Sequence, residues 1–102
     1  MIRHVIYPDG TEAWFKNNRT HNESGPAKIF PDGEESWLKN NKYHRIDGPA
    51  KTYINREERW LQNDRLYRDK GPADIYFNGA EFWYDKNCAC HLAIYYSGKE
   101  RK

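Results

Sequence analysis

The sequence repeats one segment, Trp37-Leu38-Lys39-Asn40-Asn41-Lys42-Tyr43-His44-Arg45-Ile46-Asp47-Gly48-Pro49-Ala50, in four versions. The tryptophans stand at positions 14, 37, 60 and 83, so all three steps between them are equal. The Gly-Pro-Ala triplets at 25–27, 48–50 and 71–73 keep the same step. A period of this length is typical of an array of supersecondary units that bury their apolar faces against their neighbours.

Each unit contains two turns that separate short strands. The first turn is Pro8-Asp9-Gly10 or Pro31-Asp32-Gly33, in which proline presets φ, aspartate bonds back to the backbone and glycine accepts positive φ. It reads Ile54-Asn55-Arg56 and Phe77-Asn78-Gly79 in the later units. The second turn is a pair of residues, mostly asparagine, that tolerate the left-handed conformations of a two-residue hairpin. The intervening segments are short, aromatic and free of proline, as strands are.

The sequence therefore predicts an all-β fold, an antiparallel meander of about eight strands built from four 23-residue hairpin repeats. We expect an elongated, twisted, single-layer sheet. Residues 1–102 are predicted to form a single repeat domain, with repeats near 4–26, 27–49, 50–72 and 73–95 and a tail at 96–102. Alternation of side chains gives both faces apolar ladders, so we expect a homodimer in which a second copy covers one face.

The composition favours a thin aromatic core. The chain has four tryptophans and eight tyrosines, and each of these side chains buries about 150–250 Å². Strands lie about 4.8 Å apart, so tryptophans of successive repeats lie about 9.6 Å apart and need side chains between them. The net charge of +2 only weakly favours a nucleic-acid partner. Without a long apolar run or a signal-peptide core, we expect a cytoplasmic protein with no membrane span.

The residues that could support catalysis or metal binding follow the structural period instead. The glutamates at 12, 35, 58 and 81 form a periodic row, and the three serines lack a nucleophile-elbow context. His21 and His44 belong to successive repeats, so their backbones should be too far apart to share zinc, and each is expected to bond a nearby carbonyl or acid. Cys88-Ala89-Cys90-His91 is half of a zinc motif or a decayed repeat. We predict no enzyme, no metal and no cofactor.

The order tryptophan, asparagine pair, histidine and glycine on a 23-residue hairpin resembles the MORN repeat. Here the gap from tryptophan to asparagine is one residue longer, and His44-Arg45-Ile46-Asp47-Gly48-Pro49-Ala50 stands where MORN repeats have His-Gly-x-Gly. Asn22 and Tyr67 break this form in the neighbouring repeats. The variant is similar to repeats of bacteriophage and bacterial proteins. The resemblance implies a hairpin array, and MORN-like arrays are mostly protein-binding or lipid-associated scaffolds.

Function is therefore predicted to be non-enzymatic protein binding, with a phage-encoded inhibitor of a host defence nuclease or CRISPR effector as a special case. In that case it would act in the host cytoplasm. Aromatic and arginine side chains are concentrated at protein interfaces. The alternative is binding of RNA or single-stranded DNA through aromatic stacking and basic residues. The predicted partner-binding residues are the following: Arg19, Lys42, Arg45, Arg65, Arg68, Phe30, Tyr53 and Tyr76.

Overall fold

The computed structural model describes residues 2–85 and 90–94, and it confirms an all-β, antiparallel, single-layer fold. The tail predicted at 96–102 lies outside the described residues. The strands are β1 Ile2–Ile6, β2 Glu12–Lys16, β3 Arg19–Thr20, β4 Lys28–Ile29, β5 Glu35–Ser36, β6 Leu38–Lys39, β7 Lys42–Tyr43, β8 Lys51–Thr52, β9 Glu58–Arg59, β10 Leu61–Gln62, β11 Arg65–Leu66, β12 Asp74–Ile75, β13 Glu81–Tyr84 and β14 Cys90–Ile94. Within this part of the chain there is no helix long and apolar enough to span a membrane.

The central sheet is an open meander, and the molecule measures 46 × 30 × 16 Å along its principal axes. Its strand order is β1-β2-β4-β5-β8-β9-β12-β13-β14, and β3 pairs separately with β2. Nine strands about 4.8 Å apart span about 40 Å, which agrees with the longest dimension. The sheet is therefore one strand layer thick and grows along the repeat axis.

In the second and third repeats, the strand after the first turn changes partners at its tryptophan and is described as two strands. The short strands β3, β7 and β11 and the last strand β14 account for the rest of the difference between fourteen described strands and about eight predicted ones. The Trp37 N–H donates to Ala50 O in the next repeat (2.7 Å), and the Trp37 carbonyl accepts from the N–H of His44 (2.9 Å). Residues before Trp37 pair in the central sheet, and residues after it form the separate hairpin β6-β7. The same split at Trp60 produces β10-β11. The first three repeats therefore contribute both to the sheet and to a row of small hairpins beside it.

The turns confirm the conformations that their residue types predict. Gly10, Gly33 and Gly79 have φ values of 94, 96 and 90°, and the three second-turn pairs within the described residues are left-handed, as in Asn40 and Asn41 (φ 52 and 69°). The side chains of four turn residues each accept a hydrogen bond from the N–H two positions later: Asp9, Asp32, Asn55 and Asn78. Local chemistry therefore determines both turns of the repeat.

The fully buried positions are mostly alanines, which differs from the predicted tryptophan core. Ala27, Ala50 and Ala73 are 0% exposed, whereas all four tryptophans are only partly buried. Each of these alanines accepts a hydrogen bond from the N–H of a tryptophan on the neighbouring strand, as Ala50 does from Trp37. The backbone bonds place each alanine between the tryptophan-bearing strands of adjacent repeats, where close packing favours a small side chain. The alanine of each Gly-Pro-Ala triplet is thus one of the side chains that the tryptophan spacing required.

Candidate partner-binding surfaces

The strand register separates the sheet into two faces of different chemistry. Paired residues on the face that also carries the tryptophans alternate between aliphatic or threonine side chains and glutamate: Ile6, Glu12, Ile29, Glu35, Thr52, Glu58, Ile75, Glu81 and Ile94. We call this the tryptophan face. The opposite row contains Val5, Ala13, Lys28, Ser36, Lys51, Arg59, Asp74, Phe82 and Ala93, and we call its side the tyrosine face.

Two of the predicted partner-binding residues, Arg45 and Arg68, stack on tryptophan rings within the fold. The guanidinium carbon of Arg45 lies 3.7 Å from the centroid of the Trp37 ring, and Arg68 lies 3.7 Å from that of Trp60. Arg45 Nη1 also donates to the carbonyl of Pro49 (3.3 Å). Stacking on an indole is among the stronger cation–π interactions. These arginines therefore cover the tryptophans that the sheet leaves exposed.

The glycine of the Gly-Pro-Ala triplet makes room for this stack. A Cβ on Gly48 would overlap the guanidinium group of Arg45. Asp47 Oδ1 accepts a hydrogen bond from Arg45 Nε at 3.3 Å. The segment from His44 to Ala50 is therefore explained as a structural unit: arginine covers tryptophan, aspartate orients arginine and glycine admits it.

The first repeat covers its tryptophan differently. His4 stacks on Trp14 with ring centroids 4.4 Å apart and an interplanar angle of 7°. Asn22 occupies the position of Arg45, and its Nδ2 still donates to a proline carbonyl, that of Pro26 (3.1 Å). The bond to the backbone is retained, whereas the cation over the indole is replaced by an imidazole.

The predicted aromatic residues lie on the tyrosine face, and two of them contact neighbouring side chains. Lys51 Nζ lies 5.3 Å from the ring centroid of Tyr53, and the guanidinium of Arg59 lies 5.6 Å from it. Tyr76 packs against Phe82 with centroids 5.3 Å apart. Phe30 stands at the equivalent position one repeat before Tyr53 and is half-buried. The eight predicted residues therefore do not form one surface.

Arg19, Lys42 and Arg65 remain exposed on successive hairpins of the array. Among the described residues, none of the three makes an ion pair or a side-chain hydrogen bond. Each pairs across its hairpin with Lys16, Lys39 or Gln62, so most of these positions are basic. We call Arg19, Lys42 and Arg65 the basic row. Its cations are free to meet another molecule.

The hairpins that carry the basic row are held in register by side chains of the next repeat. Asn41 Oδ1 accepts from the N–H of Thr20, and Asp64 Oδ1 accepts from the N–H of Tyr43, both at 2.6 Å. The N–H of Asn41 in turn donates to the carbonyl of Thr20 (2.9 Å). Asn41 and Asp64 thus fix the spacing between neighbouring cations.

The histidines add a second link between hairpins, and only part of it was predicted. His21 Nδ1 accepts from the backbone N–H of Asn40 (3.0 Å), so its proton is on Nε2, which donates to Glu23 at 2.9 Å. His44 Nδ1 likewise accepts from the N–H of Asn63 (3.1 Å). The predicted bond to an acid is present at His21. The backbone N–H donors of the following repeat were not foreseen, because they depend on how hairpins stack.

A cleft of about 400 Å³ opens on this side of the molecule between the first and second repeats. Its lining is both charged and apolar: Asn22, Glu23, Trp37, Lys39, His44, Arg45, Ile46 and Asp47. Ile46 is 72% exposed there. The hydrogen bond from His21, followed by the positive charge of Lys16, lowers the pKa of Glu23. The cleft therefore lies beside a carboxylate that the protein holds in its charged form.

One acidic group on the tyrosine face has the opposite electrostatic character. Asp74 is 7% exposed, and burial raises its pKa despite the guanidinium of Arg59 at 3.7 Å. The charge of Asp74 in turn raises the pKa of the Tyr76 hydroxyl. The Asp74 carboxylate therefore binds a proton more readily than an exposed aspartate does.

No group of three metal-binding side chains occurs within residues 2–85 and 90–94. The cysteine motif considered above falls partly outside that range, since Cys88 is not described. Cys90 is a free, exposed thiol whose Sγ lies 3.5 Å from the carbonyl of Leu92.

Comparison of the chain with family models, with curated proteins and with solved structures finds no match. The resemblance to MORN repeats therefore stays a prediction, and function has to be argued from the surfaces themselves.

Proposed function

We propose that the chain is a non-enzymatic protein-binding module whose basic row, Arg19, Lys42 and Arg65, binds an acidic segment of a partner protein. The observation that carries this proposal is the presence of three exposed cations at equivalent positions, without partners among the described residues. The other predicted cations, Arg45 and Arg68, are committed to tryptophan rings.

The spacing of the row suggests the form of the partner. Equivalent residues on successive hairpins lie two strands apart, or about 9.6 Å. A polyproline II segment has three residues per turn and advances about 3.1 Å per residue, so every third side chain lies on the same side, about 9.3 Å from the last. Acidic residues at every third position of a segment in this conformation would therefore match the row. Such charge complementarity speeds association and selects the partner.

The resemblance to bacteriophage repeats makes a host defence nuclease or effector in the bacterial cytoplasm the first partner to test. A nucleic acid is the alternative, because exposed cations also neutralise phosphates. The two differ in experiment: nucleic-acid binding falls steeply with salt and is lost on nuclease treatment.

The proposal is tested by affinity capture from bacterial lysate, at low and high salt, with and without nuclease. A discrete protein that survives nuclease and is lost with the triple variant Arg19→Glu, Lys42→Glu, Arg65→Glu supports it. The control carries the same charge change outside the row, at Arg3, Arg56 and Lys70, and should retain the partner. Capture of nucleic acid alone would contradict the proposal.

Self-association is a second proposed interaction, and the exposed edge of β1 is its surface. The backbone N–H of Trp14 donates to the carbonyl of Ala27, so the polar backbone groups of Trp14 face β4. Because these groups alternate along a strand, those of Ala13 and Phe15 face β1. The alternation then leaves the backbone groups of Ile2, His4 and Ile6 on the outer edge. Two copies of β1 that pair antiparallel about His4 would satisfy all three, with each Ile2 opposite an Ile6. These isoleucines are 42% and 67% exposed.

Sedimentation and solution scattering test this edge pairing. An edge-paired dimer should be about 90 Å long, about twice the 46 Å of one copy, whereas copies stacked face to face would keep that length. Ile6→Lys should give a monomer. Ile54→Lys is a matched control because Ile54 is 68% exposed in a turn. A monomeric parent protein would rule the edge contact out.

A further inference from the structure

The cleft between the first and second repeats lies where the repeats differ in one acidic residue. Glu23 and Asp69 stand two positions after His21 and Tyr67, and each accepts a hydrogen bond from that ring residue, at 2.9 and 3.4 Å. In the second repeat the same position is Ile46. The second repeat thus has the donor of this pair and lacks the carboxylate.

The donor in the second repeat is held ready by the fold. Because a backbone N–H can only donate, the bond from Asn63 to His44 Nδ1 places the imidazole proton on Nε2. His44 Nε2 has no hydrogen-bond partner among the described residues. The atom is accessible to solvent, so it is free to donate to a ligand. His44 is half-buried, whereas His21, which Glu23 covers, is 2% exposed. An N–H donor with fixed orientation therefore faces the cleft.

A lysine accompanies this donor in both repeats. Lys16 Nζ lies 3.7 Å from the Glu23 carboxylate in the first repeat, and Lys39 is its equivalent in the second. Lys39 and His44 both line the cleft. The first repeat therefore shows what the second one can bind: a carboxylate between an imidazole N–H and an ammonium group.

We infer that His44 and Lys39 form a carboxylate-binding site, occupied in complexes by an acidic side chain of the partner protein. The source of the carboxylate rests on the proposed function, whereas the chemistry of the site rests on the repeats alone. Exposed Ile46 at the rim would contact the aliphatic part of the incoming side chain. Charge-assisted hydrogen bonds from imidazole and ammonium would select a carboxylate over an amide.

The probe is N-acetyl-glutamate N-methylamide, titrated into the full chain while the ring resonances of His44 and His21 are followed by NMR. The neutral glutamine analogue is the matched control ligand. We expect saturable shifts at His44, none at His21, and none with the glutamine analogue. Shifts of equal size at both histidines, or no saturation, would overturn the site.

Two substitutions at one exposed position sharpen the test. Ile46→Glu restores the carboxylate of the first repeat, and this carboxylate should occupy the site itself. The affinity for the probe should then fall by at least about tenfold. Ile46→Gln has nearly the same shape without the charge and should bind the probe within about twofold of the parent. Equal binding by both variants would overturn the inference. Ile46 is 72% exposed, so neither change disturbs packing.

Partner capture separates this inference from the proposed function. Loss of capture with Ile46→Glu but not with Ile46→Gln places a side chain of the partner in the site. Probe binding with undiminished capture would overturn the protein source and assign the site to a free carboxylate. The basic-row variant gives the remaining outcome. If it captures the partner normally while the probe still binds at His44, the basic row is ruled out as the partner-binding surface and the carboxylate site stands.

Discussion

The first and second repeats make the same backbone bonds with different side chains. In the first repeat, His4 covers Trp14 and Glu23 completes the hydrogen bonds of His21. In the second, Arg45 covers Trp37 and no acid of that repeat reaches His44. In the first repeat both ring nitrogens of the histidine have hydrogen-bond partners. In the second repeat one ring nitrogen keeps an N–H donor beside the cleft that is unused among the described residues.

The difference shows which features of the repeat belong to the fold and which are available for binding. The bonds from a side chain to a proline carbonyl, and from a hairpin N–H to a histidine, occur in both repeats. The histidine bonds link neighbouring hairpins, whereas the bonds to the proline carbonyls brace the connector within each repeat. The acid two residues after the histidine is not needed in this way, because the second repeat folds with isoleucine there.

The largest difference should appear when each histidine is removed. His21→Ala loses a buried ring with two hydrogen bonds and should cost about 2–3 kcal/mol of unfolding free energy. His44→Ala loses one such bond at a half-buried site and should cost about 1 kcal/mol. Urea unfolding measures both. Equal losses would mean that Glu23 adds nothing to the first repeat.

A smaller effect should separate two glycines. Gly48→Ala displaces Arg45 from Trp37 and should cost about 1 kcal/mol, the typical value of such a stack. The nearest atom to a Cβ on Gly25 is Asn22 Nδ2 at 3.7 Å, so Gly25→Ala should change stability by less than about 0.5 kcal/mol. The cost of Gly48→Ala should vanish in an Arg45→Ala background, and its persistence there would argue against displacement of the guanidinium.

The comparison extends to the first turn of the third repeat, where Arg56 replaces the glycine of the second. Arg56 has φ of 75° and Gly33 has φ of 96°, a region that disfavours residues with a Cβ. Arg56→Gly should therefore stabilise the chain by about 0.5–1 kcal/mol, and Gly33→Arg should destabilise it by a similar amount. Thermal unfolding of the two variants measures these changes. A loss of stability in Arg56→Gly would show that the arginine side chain contributes more than its backbone strain.

The turns could be predicted from sequence because their conformation depends on adjacent residues. Pro31-Asp32-Gly33 and Asn40-Asn41 carry their own φ preferences, and the regular step of the repeat placed them correctly. The change of partners at Trp37 could not be predicted, since it depends on which neighbour each half of a strand meets. Strand pairing of this kind is a tertiary property that no local preference encodes.

The surroundings of the candidate site residues could not be predicted either, for a related reason. Arg45 and Arg68 looked like interface residues because arginine is common at interfaces, whereas the structure places them on the indoles of their own repeats, Trp37 and Trp60. The glycine of the triplet gave no signal of this stack, because it also occurs in the first repeat, where Asn22 replaces the arginine and a Cβ on Gly25 would meet no close atom.

The smallest expected effect concerns a position that changes its charge along the array. Lys28 and Lys51 of the second and third repeats become Asp74 in the fourth. Burial raises the pKa of Asp74 above its ordinary value of 3.8, so the folded state holds the proton more tightly than the unfolded chain does. The charged carboxylate therefore lowers stability at neutral pH, and this cost declines as pH falls through the folded-state pKa toward 3.8.

Replacing this carboxylate by an amide tests the balance between its burial and its pairing with Arg59. Asp74→Asn should raise the midpoint of thermal unfolding at pH 7, by a margin that shrinks as the buffer is acidified, because the amide carries no charge to bury. Glu57→Gln, a nearby acid whose charge also raises this pKa, is the control and should give a smaller gain. An Asp74→Asn variant that is less stable than the parent at pH 7 would show that the pairing with Arg59 outweighs the cost of burying the charge.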